Sequence, residues 1–171
     1  MGCLLARRLR RGWLLGRVVE AEAYVGEHDL ACHARAGRTA RTEVMYGEPG
    51  HAYVYLIYGM HRMLNAVCGP GSDANAVLIR AAEPVEGSLP WLHGSARGPG
   101  NLCSAFAVEM RHNRADLCDA ESELVILPRG ARKPRIARGP RIGVDYAGPW
   151  AAEPLRFWDA ASVHVSRKGK T

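Results

Sequence analysis

The chain has 171 residues, 47% of them hydrophobic and 23% charged, which is the balance of a soluble globular protein long enough to bury a core without staples. No apolar run approaches the roughly eighteen residues of a spanning helix, so a helical membrane protein is excluded. The net charge is +6 and Arg supplies most of the cationic side chains, which suits bidentate phosphate contacts and points toward a polyanionic partner, although GC-rich coding also inflates Arg and Ala.

Five cysteines are scattered at positions 3, 32, 68, 103 and 118, with no Cys-x-x-Cys pair, so neither a metal site nor a disulfide framework is expected. Reduced thiols in a cytoplasm follow as the default. The first eleven residues place a short apolar patch ahead of positive charge, the reverse of a secretory signal, and no export is expected.

In chain order, residues 2–9 read as an apolar strand and residues 10–12 as the turn of a hairpin into 13–25. On the return strand, strict alternation puts Val18, Glu20, Glu22 and Tyr24 on one face and Val19, Ala21, Ala23 and Val25 on the other. A face with two carboxylates and a ring fits an ordinary solvent face, or a general base beside a stacking platform. Residues 26–50 are polar, carry four glycines and have no sustained period, so a long functional loop is expected, with His33, Arg35, Arg38 and Arg41 in it.

Residues 52–58 (AYVYLIY) are the strongest strand pattern, turned at Gly59 and Met60 and returning over 62–68. Tyr58 then stands at the hairpin tip, flanked by Met60, His61 and Arg62. Such an aromatic is either folded back on its own hairpin or a wedge that enters a nucleic-acid stack. Residues 75–82 form another strand, interrupted by Arg80, which needs an acid partner if buried; Glu22 and Glu20 are the candidates.

Residues 85–99 read as loop, 101–110 as a helix burying Leu102, Ala105, Phe106 and Val108, and 124–127 as a short strand. The stretch 128–141 holds five Arg and one Lys with no acid, and its Gly and Pro content makes it a loop on which Arg and backbone amides could cradle phosphates. A strand-and-turn segment over 142–150 and closing strands over 154–158 and 163–165 complete the chain. With no repeats and no shift in composition, residues 1–171 are expected to form a single domain.

Taken together, residues 17–24 (RVVEAEAY), His33, residues 53–60 (YVYLIYGM), Asn65, residues 78–84 (LIRAAEP) and residues 154–157 (PLRF) resemble one family, the alkyladenine (3-methyladenine) DNA glycosylases of the mammalian type. The order and spacing hold from about residue 2 to residue 165. The resemblance implies an α+β fold, a compact domain around a curved, mainly antiparallel sheet with a protruding β-hairpin. It implies release of alkylated and deaminated purines from double-stranded DNA by a monomer, with no cofactor and no metal.

Position by position, Glu22 matches the family's general base, Arg80 the arginine that helps hold the attacking water, and the backbone carbonyl near Ile142 a third water contact. Tyr24, His33 and Tyr55 match the residues that stack on the flipped base, and Asn65 the residue whose bulk disfavours the guanine amine. Tyr58 matches the intercalating residue. Met60, Arg62, Arg138 and Arg141 are candidates for the DNA backbone.

Glu20 is the rival base on the same face, its other role being a salt bridge. Lys133, Lys168 and Lys170 lie in basic loop or tail segments unsuited to attack the sugar, so a monofunctional enzyme without strand cleavage is expected. The chain departs from the family pattern in three places: it lacks most of the segment before the first strand, its 85–99 loop is short, and His61 stands where an aromatic is expected. The alternatives are a lesion-sensing DNA-binding protein without catalysis, and a small-metabolite enzyme on a related barrel that would not need the tip tyrosine.

Overall fold

The computed structural model describes residues 1–70 and 72–166. Its strands are β1 (Leu4–Leu9), β2 (Gly12–Val25), β3 (Ala52–Ile57), β4 (His61–Cys68), β5 (Asn75–Pro84), β6 (Leu124–Leu127), β7 (Ile136–Gly139) and β8 (Arg156–Asp159), with one α-helix, α1 (Pro99–Ala105). All eight join one curled antiparallel sheet in the order β3-β4-β5-β2-β1-β6, with β8 pairing β2 and β7 pairing β8. The α+β class expected from the resemblance is the one observed.

The long strand β2 is the axis. β5 runs along one of its edges, from Gly16 opposite Pro84 to Val25 opposite Asn75. Its other edge is shared, β1 taking the N-terminal half and β8 pairing Glu20 with Trp158 and Glu22 with Arg156. The β2–β5 ladder is broken twice. Val18 faces Ala82 and Glu20 faces Ala81, leaving Val19 without a counterpart; Ala21 then faces Ile79, leaving Arg80 without one. An unpaired residue bends its strand and re-aims side chains. Here the consequence is a change of face.

Before the break, Val18 packs into the main core with Leu5, Leu14, Ile79 and Phe106; after it, Ala21 sits across from the core residue Ile79. Glu22, paired with Leu78, therefore belongs to the opposite face, and Val19 packs in a small cluster with Ala81 and Val165. Strict alternation put Val18 and Glu22 on one face, and the register shift corrects that. It explains why the even-numbered residues of β2 looked neither simply wet nor simply buried.

The helix packs on the main-core side, burying Leu102, Cys103 and Ala105, with Phe106 following as its cap. It starts at Gly98, whose φ of 102° suits glycine, with Pro99 in the first turn, where a missing N–H costs nothing. It is shorter than the span 101–110 suggested, and Met110–His112 form a separate 3-10 turn. On the other face of the sheet, the loop after β2 carries its own apolar cluster of Cys32, Ala34, Val44 and Met45 packed on Tyr53, Val67 and Ala76. That cluster holds the loop as two 3-10 turns, His33–Ala36 and Glu43–Tyr46.

Two further expectations change. The basic stretch 128–141 contains the strand β7, because Ile136 to Gly139 find an open edge on β8. Residues 142–150 form 3-10 turns over Asp145–Ala151 rather than a strand, and no strand forms over 163–165. Lys168 and Lys170 lie outside the described residues.

Gly16 marks a tight contact between the sheet and the helix side. A Cβ there would stand 2.6 Å from Cζ of Phe106 and 3.0 Å from Cβ of Ala82. Phe106 is fully buried and has little room to give. Gly16→Ala should therefore destabilise the fold by about 1–3 kcal/mol through overpacking, measured by urea unfolding.

Candidate active site

The second face of the sheet carries a cavity of about 450 Å³. Its floor is where Arg80 leaves the β2–β5 ladder. The Arg80 guanidinium donates from Nε to Glu20 at 2.9 Å and from one terminal nitrogen to Glu22 at 3.1 Å, so it bridges both carboxylates. Both acids are fully buried and Arg80 is 6% exposed. Leaving either carboxylate unpaired here would cost several kcal/mol.

The two acids differ in what surrounds them. Glu20 also accepts from Arg156 at 3.2 Å and from the amide and hydroxyl of Ser166 at 2.6 and 2.8 Å. Its lone pairs are spent on holding elements together. Glu22 accepts from Arg80, from the Tyr24 hydroxyl at 3.0 Å and from the Ile142 amide at 2.8 Å. Tyr24, Arg80 and Ile142 all line the cavity, whereas Glu22 itself lies just behind them. Ile142 reaches Glu22 through its amide, a contact separate from the carbonyl role that the sequence resemblance implies. Burial and the nearby Glu22 carboxylate push the Tyr24 phenol well above its ordinary range, which keeps it a donor.

The walls are aromatic. His33 meets Tyr55 edge-on, with ring centroids 4.6 Å apart, and shares a hydrogen bond of 2.9 Å between Nδ1 and the Tyr53 hydroxyl. Asn65 sits on β4 with its amide nitrogen donating to the Tyr53 carbonyl at 3.1 Å, and it too lines the cavity. The sequence resemblance assigned Tyr24, His33, Tyr55 and Asn65 to one pocket, and they are found around one cavity. Tyr53 and two residues from loops, Arg41 and Tyr146, were not singled out as site residues. Tyr53 shares the parity of Tyr55 and was in principle readable; the other two are placed only by tertiary structure.

Tyr58 stands at the β3–β4 tip, 84% exposed with a φ of 52°, followed by Gly59 at 70°. Met60 is 67% exposed, and Arg62 and Arg138 are exposed as well. Arg141 is not available to a DNA backbone. Its side chain is fully buried and clamps Asp29 through two nitrogens at 2.5 and 2.8 Å, with a third contact to the Ala23 carbonyl. It lies 4.8 Å over the Tyr24 ring, so its work is to hold that wall. The acid that claims it, Asp29, is distant in sequence, which the basic run alone could not reveal. Arg132 is likewise neutralised, by Glu83 and Asp159.

A family model described as methylpurine-DNA glycosylase (MPG) matches residues 1–163. A protein of Myxococcus xanthus bearing the provisional name 3-methyladenine DNA glycosylase is 54% identical over 155 residues, covering 90% of this chain and 77% of its own. One of the same name from Methanocella arvoryzae is 49% identical, covering 98% and 88%. Another, from Legionella pneumophila, is 42% identical, covering 90% and 81%.

With this sheet and a buried acid pair under an aromatic cavity, the match makes the protein a monofunctional DNA glycosylase of base-excision repair. It belongs to the methylpurine-DNA glycosylase family, and DNA is its substrate.

Burial first, then the Arg41 and Arg35 guanidinium groups, hold the His33 imidazole down at about 4. A depressed histidine adds stability that is full above its ordinary value of 6.5 and is lost as pH falls through about 4. Unfolding midpoints should decline over that window, and the decline should be shallower in His33→Gln, as followed by thermal melts across pH.

Proposed function

We propose that the protein flips alkylated and deaminated purines out of double-stranded DNA into the aromatic cavity and hydrolyses their N-glycosidic bond, acting as a monomer. The observation that carries this reading is Glu22. It is a buried carboxylate whose three hydrogen-bond donors all face the cavity. A water that exchanges with one of those donors would be held between Glu22 and Arg80. Glu22 takes its proton as the water oxygen bonds to the sugar carbon, and the bonding pair of the N-glycosidic bond leaves with the base. The carboxylate also stabilises the positive charge that develops on the sugar.

Extruding a nucleotide costs roughly a few kcal/mol, less for a base that already pairs badly. In this reading Tyr58 offsets the cost by stacking in the gap, supported by its exposure at the tip and by the apolar Met60 beside it. Tyr24, His33 and Tyr55 stack on the flipped base, and Asn65 excludes the amine of guanine. Arg62 and Arg138 are the exposed cations proposed for phosphate contact.

Base release from hypoxanthine- and methyladenine-containing duplexes should fall by about 10²–10⁴ in Glu22→Gln while DNA binding persists. Loss of binding together with activity would argue against a catalytic role. Tyr58→Ala should weaken excision from duplex far more than from single strands, because only the duplex has a gap to fill. Equal losses on both would remove Tyr58 from the flipping step.

A further inference from the structure

Among the described charged side chains that line the cavity or lie directly beneath it, all but one are paired with opposite charge. Arg80 and Arg156 meet Glu20 and Glu22, and Arg141 meets Asp29. Arg41, exposed on the loop after β2, lines the same cavity and has no carboxylate partner among the described residues. Its guanidinium lies 5.1 Å over the Tyr55 ring, and its field reaches His33, which it helps to hold neutral. The Tyr24 ring likewise already carries the Arg141 guanidinium at 4.8 Å.

An electron-rich slot attracts a cationic base through its ring faces. In this chain both stacking tyrosines already spend that attraction on a guanidinium, and one of the two is not neutralised. We infer that Arg41 is a specificity-determining residue, which turns the slot from cationic alkylpurines toward neutral purines such as hypoxanthine. The inference rests on the proposed base-flipping reading and adds the charge class of base that the site favours.

The chemistry runs in the same direction. When a neutral purine leaves, the pair from the N-glycosidic bond puts negative charge on the base, and a nearby guanidinium stabilises it and can donate to purine acceptors. When a cationic purine enters, the same guanidinium repels it. Removing the charge should therefore hurt neutral lesions and spare cationic ones. A phosphate clamp would affect both alike.

The test compares hypoxanthine and 3-methyladenine in otherwise identical duplexes, since neither carries the amine that Asn65 would exclude. Single-turnover rates and kcat/KM are read for wild type, Arg41→Met and Arg41→Lys, with melts to confirm folding. In Arg41→Met the ratio of hypoxanthine to 3-methyladenine kcat/KM should drop about tenfold, while Arg41→Lys keeps most of it. An unchanged ratio overturns the inference. So do equal losses on both lesions together with a salt dependence flatter by about one, which would make Arg41 a phosphate contact. A wild type that releases neither base would sink the base-flipping reading and this inference with it, an outcome distinct from an unchanged ratio.

Discussion

One guanidinium shared by two buried carboxylates is the constraint on which the site depends. Arg80 can reach both Glu20 and Glu22 because it has no counterpart in the β2–β5 ladder. With Arg156 added, two acids and two bases form a cluster whose formal charges cancel. Buried ion pairs of this kind contribute little net stability, because desolvation offsets most of the attraction. What the cluster supplies is position. It fixes a carboxylate between three strands, where neither loop motion nor solvent can shift it.

The walls are looser elements, fastened to that frame by separate means. The loop after β2 brings its own apolar cluster, and the Asp29–Arg141 clamp ties it to the segment just before Ile142. Because Arg141 also covers Tyr24, one ion pair sets a wall of the cavity and brings the Ile142 amide to Glu22. Electrostatics thus sort by depth. Buried Arg80, Arg141 and Arg156 are paired inside the protein, while Arg35, Arg41, Arg62 and Arg138 stay exposed.

Much of this was legible in the sequence. The hairpins, the helix-side core and the need of Arg80 for an acid partner followed from residue pattern alone, and several residues that line the cavity from the resemblance of four short segments and two single positions. The failures have physical causes. Alternation cannot anticipate a register shift, so the face of Val18 was misjudged. Composition reads a run of arginines as one solvated patch, yet Asp29 lies more than a hundred residues before Arg141, and only the fold brings them together. β7 was invisible because its pairing depends on the edge that β8 exposes rather than on its own residues. Tyr146 and Arg41 reach the cavity from loops, which carry no periodic signal.

The hairpin tip shows the opposite economy to the buried cluster. Tyr58 holds a left-handed backbone, which costs a non-glycine residue about 1–2 kcal/mol, and it buries almost nothing in return. Gly59 beside it adopts the same region freely, so the turn itself does not need an aromatic. Nor does the tip gain from its neighbours, since Met60 is also left to solvent. A residue that is strained, apolar and unpacked contributes nothing to its own fold that a glycine would not. In the proposed reading its benefit lies outside the chain, where a vacated step in a base stack offers a flat apolar space of the right size. The protein thus places its buried acid where folding over-determines it and its tip tyrosine where folding leaves it bare, the division of labour that the proposed base-flipping reading requires.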